Sequence, residues 1–173
     1  MLSAELATGL TELDALLRQE DWLTADAVTL EIMLNGVQRQ EAGWLERPAI
    51  AQFPCELLQQ IDQRWLFYSS HRFGFSTQLK IYREEVDRSA FAFSAQAGWT
   101  LPLSRPFRFF KFYDRLTFSL DAPRGHLPAL WFWEMPWPQS LLVGGWGTGR
   151  GAGFGDPGLF DALMLRLERC QHL

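Results

Sequence analysis

The sequence is short of nearly everything that announces chemistry. Its two cysteines, Cys55 and Cys170, show no Cys-x-x-Cys spacing, so neither a zinc site nor a disulfide framework is indicated, and a reducing compartment suits them. The three histidines, His71, His126 and His172, form no His-x-x-x-His or Glu-x-x-His pair, the arrangement that would set two metal ligands on one helix face. Gly-x-Ser-x-Gly and Gly-x-x-x-x-Gly-Lys are absent, which removes the hydrolase elbow and the phosphate loop. No catalytic residue and no metal ligand declares itself. Asp62, beside Ile61 and Trp65, reads as a buried capping acid or a general base, and without a partner carboxylate or histidine in sequence reach the structural role is favoured. His126, in Gly125-His126-Leu127-Pro128, reads as part of a structural turn.

Long apolar runs are missing too. None reaches the roughly 18 residues that cross a bilayer, and the acidic amino terminus, with Glu5, Glu12 and Asp14, lacks the basic-then-apolar order of a secretory signal. A soluble protein able to touch a membrane surface is expected. Lysine is scarce, with two against fourteen arginines, and the net charge of -4 with a pI near 5.4 argues against a partner held by nucleic-acid phosphates.

What remains has the size of one domain, 173 residues, with 47% apolar and 21% charged residues. Aromatics reach 14%, more ring surface than a core this size needs, so some of it is free to serve a ligand. Charge is laid out unevenly. Residues 1–56 hold ten acids against Arg18, Arg39 and Arg47, whereas residues 101–125 hold Arg105, Arg108, Lys111, Arg115 and Arg124 against Asp114 and Asp121. An anionic group is better received in the second stretch or beyond it, although two solvated faces of opposite sign explain the same pattern.

Periodicity predicts a mainly helical chain with at most short strands. Thr11 and Asp14 resemble a capping box ahead of Leu13, Leu16 and Leu17. Thr24 starts a second helix with Ala27, Leu30, Leu34 and Val37 on one stripe, packed antiparallel to the first around Trp22. Phe53-Pro54 opens a third that runs to about Tyr68, because proline is tolerated at a first helical position. Further helices are expected at Ser76–Val86, Arg88–Gln96 and Pro157–Cys170, and a short strand at Leu116–Leu120. No internal repeat is present.

Between Leu130 and Gly155 the pattern changes. Trp131, Phe132, Trp133, Trp137, Trp146 and Phe154 accompany seven glycines and only two charges, Glu134 and Arg150. This reads as a long, flexible, apolar loop before the last helix. Glycine permits close backbone approach to a flat object, and the rings offer stacking faces, which together describe a lid over a planar hydrophobic ligand. The same rings also fit core filling or a sticky protein contact.

A family likeness rests on particular residues: Trp22 with Ala25-Asp26 and Thr29, Phe53-Pro54-Cys55-Glu56-Leu57, Ile61-Asp62 and Trp65, Arg72-Phe73-Gly74-Phe75-Ser76 with Gln78, Gly98-Trp99, and Gly125-His126-Leu127-Pro128. From about Leu10 to the carboxyl end the chain resembles the core domain of the genomes-uncoupled-four family, tetrapyrrole-binding activators of magnesium chelatase. The resemblance implies a single helical domain, residues 1–173, shaped like a cupped hand. It implies ligands, protoporphyrin IX and its magnesium complex, rather than a required cofactor. The partner implied is the large, porphyrin-binding subunit of the chelatase, with no enzymatic activity in the chain itself. A monomer is expected, cytoplasmic or stromal and peripheral to photosynthetic membranes. The helical bundle and the carboxyl tail that extend other members are expected to be absent.

Implied ligand contacts are Arg150 in the long loop and, on an apolar palm, Arg39 and Leu45, with Phe132, Trp133, Trp146 and Phe154 available for stacking. Gly36 stands where the palm calls for a larger apolar residue. The ring chemistry agrees: a porphyrin is an apolar plate with carboxylates at one edge, and arginine takes a carboxylate with paired N–H donors. Burying on the order of 400 Å² of ring contributes about 10 kcal/mol, against an association cost of roughly 4–15 kcal/mol, so stacking and charge decide affinity. A protein-interaction module and a binder of a bilin, an open-chain tetrapyrrole with the same apolar body and carboxylates, are the alternatives.

Overall fold

The computed structural model describes residues 3–101, 109–136, 138 and 156–171. The chain starts with a helical pair. Helix α1 (Ala4–Arg18) begins well before Thr11, because the Ser3 side chain accepts the N–H of Leu6; Thr11 lies inside the helix and donates to the Ala7 carbonyl. Helix α2 (Trp22–Gly36) likewise starts ahead of Thr24, capped by Asp21. Leu10, Leu13 and Leu17 of α1 are buried, and α2 is buried on nearly every side, from Trp22 through Thr29 to Leu34. A helix apolar all round belongs at the centre of a core.

A short helix absent from the periodicity, α3 (Arg47–Ala51), follows with proline in its first turn. Helix α4 (Cys55–Tyr68) ends where expected, but Pro54 is its capping residue rather than its first residue. At α5 (Phe75–Glu84) a carboxylate reaches across from α4. Asp62 accepts the Ser76 backbone N–H at 2.9 Å and the Ser76 hydroxyl, and so supplies the cap that Gly74 cannot. Gly74 has φ of +116°, and a Cβ there would lie 2.8 Å from Asp62 Oδ1, so glycine is required twice over. Helix α6 (Ala90–Gln96) is capped by Ser89.

Thr100 and Phe110 form an isolated antiparallel bridge. Leu116–Leu120 is not a strand. A 3₁₀ turn (Tyr113–Arg115) precedes it, and the Thr117 N–H is spent on His126 Nε2 rather than on a neighbouring strand. The other ring nitrogen of His126, Nδ1, faces the Ala97 carbonyl, so the neutral Nδ1–H form fits, and burial lowers its pKa. His126 is the structural turn residue anticipated.

Leu130–Trp133 forms a helix, α7, where a loop was expected. Its amino end is held by a buried carboxylate from α2: Asp26 Oδ1 accepts the Ala129 N–H at 2.8 Å, and Oδ2 accepts the Leu130 N–H at 3.0 Å and the Tyr113 hydroxyl at 2.9 Å. Helix α8 (Pro157–Gln171) then packs against α3, α5 and α6. Phe160 of α8 stacks on Phe93 at 4.3 Å and on Trp131 at 6.1 Å. Much of the aromatic content that looked surplus to a core is therefore core.

Cys55 and Cys170 are joined by a disulfide, with their Cα atoms 5.2 Å apart. This corrects the reading of two isolated thiols. Their separation of 115 residues leaves no local spacing to read, and only the packing of α8 against α4 brings them together. Among the described residues no helix is long and apolar enough to cross a membrane.

Candidate functional site

The segment between α2 and α3 gathers several side chains that matter. Arg39 places its guanidinium 5.6 Å from the centre of the Trp44 ring and donates from Nη1 to Glu46 Oε1 at 3.1 Å. Its Nε is buried, with no hydrogen-bond partner among the described residues. Such a donor costs free energy unless something accepts from it. Leu45, between Trp44 and Glu46, is fully buried.

Beside this segment lies a cleft of about 230 Å³, lined by Trp44, Glu46, Arg47, Pro48, Met135, Asp156 and Leu159. Met135 closes the stretch after α7, and Asp156 opens the stretch before α8. Residues on both sides of the glycine- and tryptophan-rich segment, Met135 and Asp156, therefore line this cleft. Four apolar side chains form its walls. Arg47 donates from Nη2 to Asp156 Oδ1 at 2.5 Å across it. Drug-sized ligands usually occupy roughly 300–1,000 Å³, so this cleft accepts the edge of a plate rather than a whole one.

A second concavity, about 390 Å³, runs between α1 and α2 and is rimmed by Glu5, Glu12 and Glu31. Charge separates the two. Three carboxylates repel an acidic ligand, whereas the two carboxylates lining the smaller cleft, Glu46 and Asp156, are each paired with an arginine, Arg39 and Arg47. Among the described residues no group of histidine, cysteine, aspartate and glutamate side chains is arranged to hold a metal ion.

Of the residues expected at a ligand, Arg39 touches Trp44 and Glu46, which line this cleft, without lining it itself, and Leu45 is buried between those two in the sequence. Phe132 and Trp133 do not offer open stacking faces, which corrects their place in a loop. Each is 3% exposed, Phe132 stacked on Trp99 at 5.4 Å and Trp133 edge-on to Trp99 at 4.8 Å, with its Nε1–H donated to the Lys111 carbonyl. The cause is Asp26, which fixes the start of α7 and turns that helix's side chains into the core. Trp146, Arg150 and Phe154 lie outside the described residues. Trp44, Arg47 and Asp156 escaped the sequence reading; the one available signal was Arg47-Pro48, a proline placed to begin a helix.

Known proteins bear on this geometry. A family model described as GUN4-like matches residues 3–143. The uncharacterized protein ycf53 of Porphyra purpurea is 32% identical over 122 residues, 68% of this chain and 48% of that protein. A protein of Arabidopsis thaliana named tetrapyrrole-binding protein, chloroplastic, is 29% identical over 131 residues, 72% of this chain and 49% of its own length. The chain thus spans about half the length of the relatives it matches. The ligand-free structure of Arabidopsis thaliana GUN4 superposes with a TM-score of 0.63 at 22% identity, over 88% of this chain and 92% of that one, a likeness of fold. GUN4 from Chlamydomonas reinhardtii gives 0.57 at 26% identity, over 69% and 78% of the two chains. With most of its length matched by the family model and its helical fold shared with two solved members, the chain belongs to the GUN4-like family.

Proposed function

We propose that this protein binds a tetrapyrrole, protoporphyrin IX or its magnesium complex, and that in this state it stimulates magnesium chelatase through the large porphyrin-binding subunit without catalysing a reaction itself. One observation carries the reading. An apolar cleft lined by Arg47 and by residues on both sides of the glycine- and tryptophan-rich segment, with Arg39 paired to its Glu46, occurs in a member of a family that includes a protein named for tetrapyrrole binding. Such a cleft meets a plate with an acidic edge: walls for the ring, guanidinium groups for the carboxylates.

Arg39 contributes a cation whose Nε has no acceptor among the described residues, and Leu45 a buried apolar side chain next to Trp44 in the sequence. Arg150, Trp146 and Phe154 are proposed as further ligand contacts, Arg150 pairing with a carboxylate. Phe132 and Trp133 belong to this site as the rigid core behind Met135. The proposed setting is cytoplasm or stroma, with peripheral contact to photosynthetic membranes.

Titration with protoporphyrin IX, followed by the Soret band and by tryptophan fluorescence, tests the reading. A saturable spectral shift is expected, weakened about tenfold by Arg150→Ala, the scale of one charge-assisted hydrogen-bonded pair. Adding the protein to purified chelatase subunits should raise the rate of magnesium insertion. An inert spectrum beside excess protoporphyrin overturns ligand binding; an unchanged insertion rate overturns the activator role. A shift with a bilin but none with protoporphyrin would transfer the site to an open-chain ligand.

A further inference from the structure

The ion pair across the cleft is oddly placed. Asp156 Oδ1 accepts the Gly158 N–H at 3.0 Å as well as the Arg47 guanidinium, so it caps the first turn of α8. Arg47 therefore holds a cation over the positive end of a helix, where its own charge is unwelcome and only Asp156 offsets it. The guanidinium rests directly on the glycine backbone. A Cβ at Gly158 would fall 2.5 Å from the Cζ and Nη2 of Arg47, so any larger residue there would evict it.

The pair is also weakly held. The Arg47 side chain is 58% exposed, and Asp156 is its hydrogen-bonding partner among the described residues through one nitrogen. Pairs so open to water contribute little. A guanidinium carries a planar fork of N–H donors, and an incoming carboxylate can engage two of them in parallel where Asp156 engages one. Arg39 is less free: it must first leave Glu46 and the Trp44 ring. Among the described residues the charged groups lining the cleft are Glu46, Arg47 and Asp156, with Arg39 paired to Glu46 from outside the lining, so an anion reaches Arg47 by exchange with Asp156.

We infer that Arg47 is the guanidinium that receives a ligand carboxylate in the cleft, kept in position by Asp156 and Gly158 and surrendered when the acidic edge of the plate arrives. This rests on the tetrapyrrole reading above and adds a second cation to Arg150. The structure limits the cleft to an edge, and in a tetrapyrrole that edge bears the carboxylates.

The test compares protoporphyrin IX with its dimethyl ester, which keeps the plate and removes both charges, delivered from the same detergent solution. Wild type, Arg47→Ala, Asp156→Asn and the double variant are titrated with each. Arg47→Ala should weaken the free acid about tenfold and leave the ester unchanged. Asp156→Asn retains the helix cap and should strengthen the free acid several-fold, a gain that disappears in the double variant. Equal losses for acid and ester, no loss for either, or a gain that survives without Arg47 would overturn the inference while leaving tetrapyrrole binding intact. Absence of any spectral change with wild type removes the proposed function, and the inference with it.

Discussion

Asp26 shows how a single side chain can organise a fold. Burial pushes its carboxyl up to about 6 from the ordinary 3.8, against the hydrogen bonds from Ala129, Tyr113 and Leu130 that favour the ionised form. Because the folded value exceeds the unfolded one, folding is linked to proton uptake. The contribution is complete below 3.8 and is lost as pH rises through about 6. Relative to an Asp26→Asn chain, stability should fall between about pH 4 and pH 7 by up to ~3 kcal/mol. Urea midpoints measured for both chains across that window provide the check, and parallel curves would refute it. Gly36 makes a complementary point. A Cβ there would run into Cδ2 of Leu57, a side chain with no exposure, so the larger apolar residue that the resemblance calls for does not fit. Gly36→Leu should destabilise by about 1–3 kcal/mol through overpacking, again read from urea midpoints; an unshifted midpoint would mean the palm has spare room.

At the scale of elements, α4 and α8 are fastened to each other by a covalent bond. Cys55 starts α4 and Cys170 lies near the end of α8, and the bond between them constrains the unfolded state over a separation of 115 residues. Removing a link over so long a loop typically costs ~2–5 kcal/mol. Cys55→Ser should lower the thermal midpoint, and a dithiol reductant added to the wild-type chain should reproduce the drop while leaving the variant unmoved. A reductant effect of equal size in both would detach it from this bond. The bond adds to apolar ties, since Leu159, Phe160, Leu163, Met164 and Leu167 of α8 are buried, and to polar ones such as Arg166 to the Phe53 carbonyl and Arg88 to Glu168. Reduction should therefore weaken the hold on α8 without releasing it.

For the whole molecule, the helical class was legible in the sequence: α4 and α8 carry an apolar stripe at helical spacing, and α2 is an apolar run long enough for a helix, buried on nearly every side rather than along the stripe expected. Helix starts were misplaced where the cap came from an unremarked residue, as with Ser3 and Asp21. What could not be read was whatever depends on distant partners. Leu130–Trp133 looks like loop because four large apolar residues between prolines carry no period, and it is a helix because a carboxylate over a hundred residues away satisfies its first N–H groups. Arg39 and Leu45 followed from the family pattern, whereas Arg47 and Asp156 meet only through a contact spanning 109 positions. The disulfide was hidden for the same reason. It closes the chain from Cys55 to Cys170 into a covalent ring. A single peptide bond hydrolysed inside that ring frees nothing: the two pieces travel as one molecule, and part company only once the sulfurs are reduced.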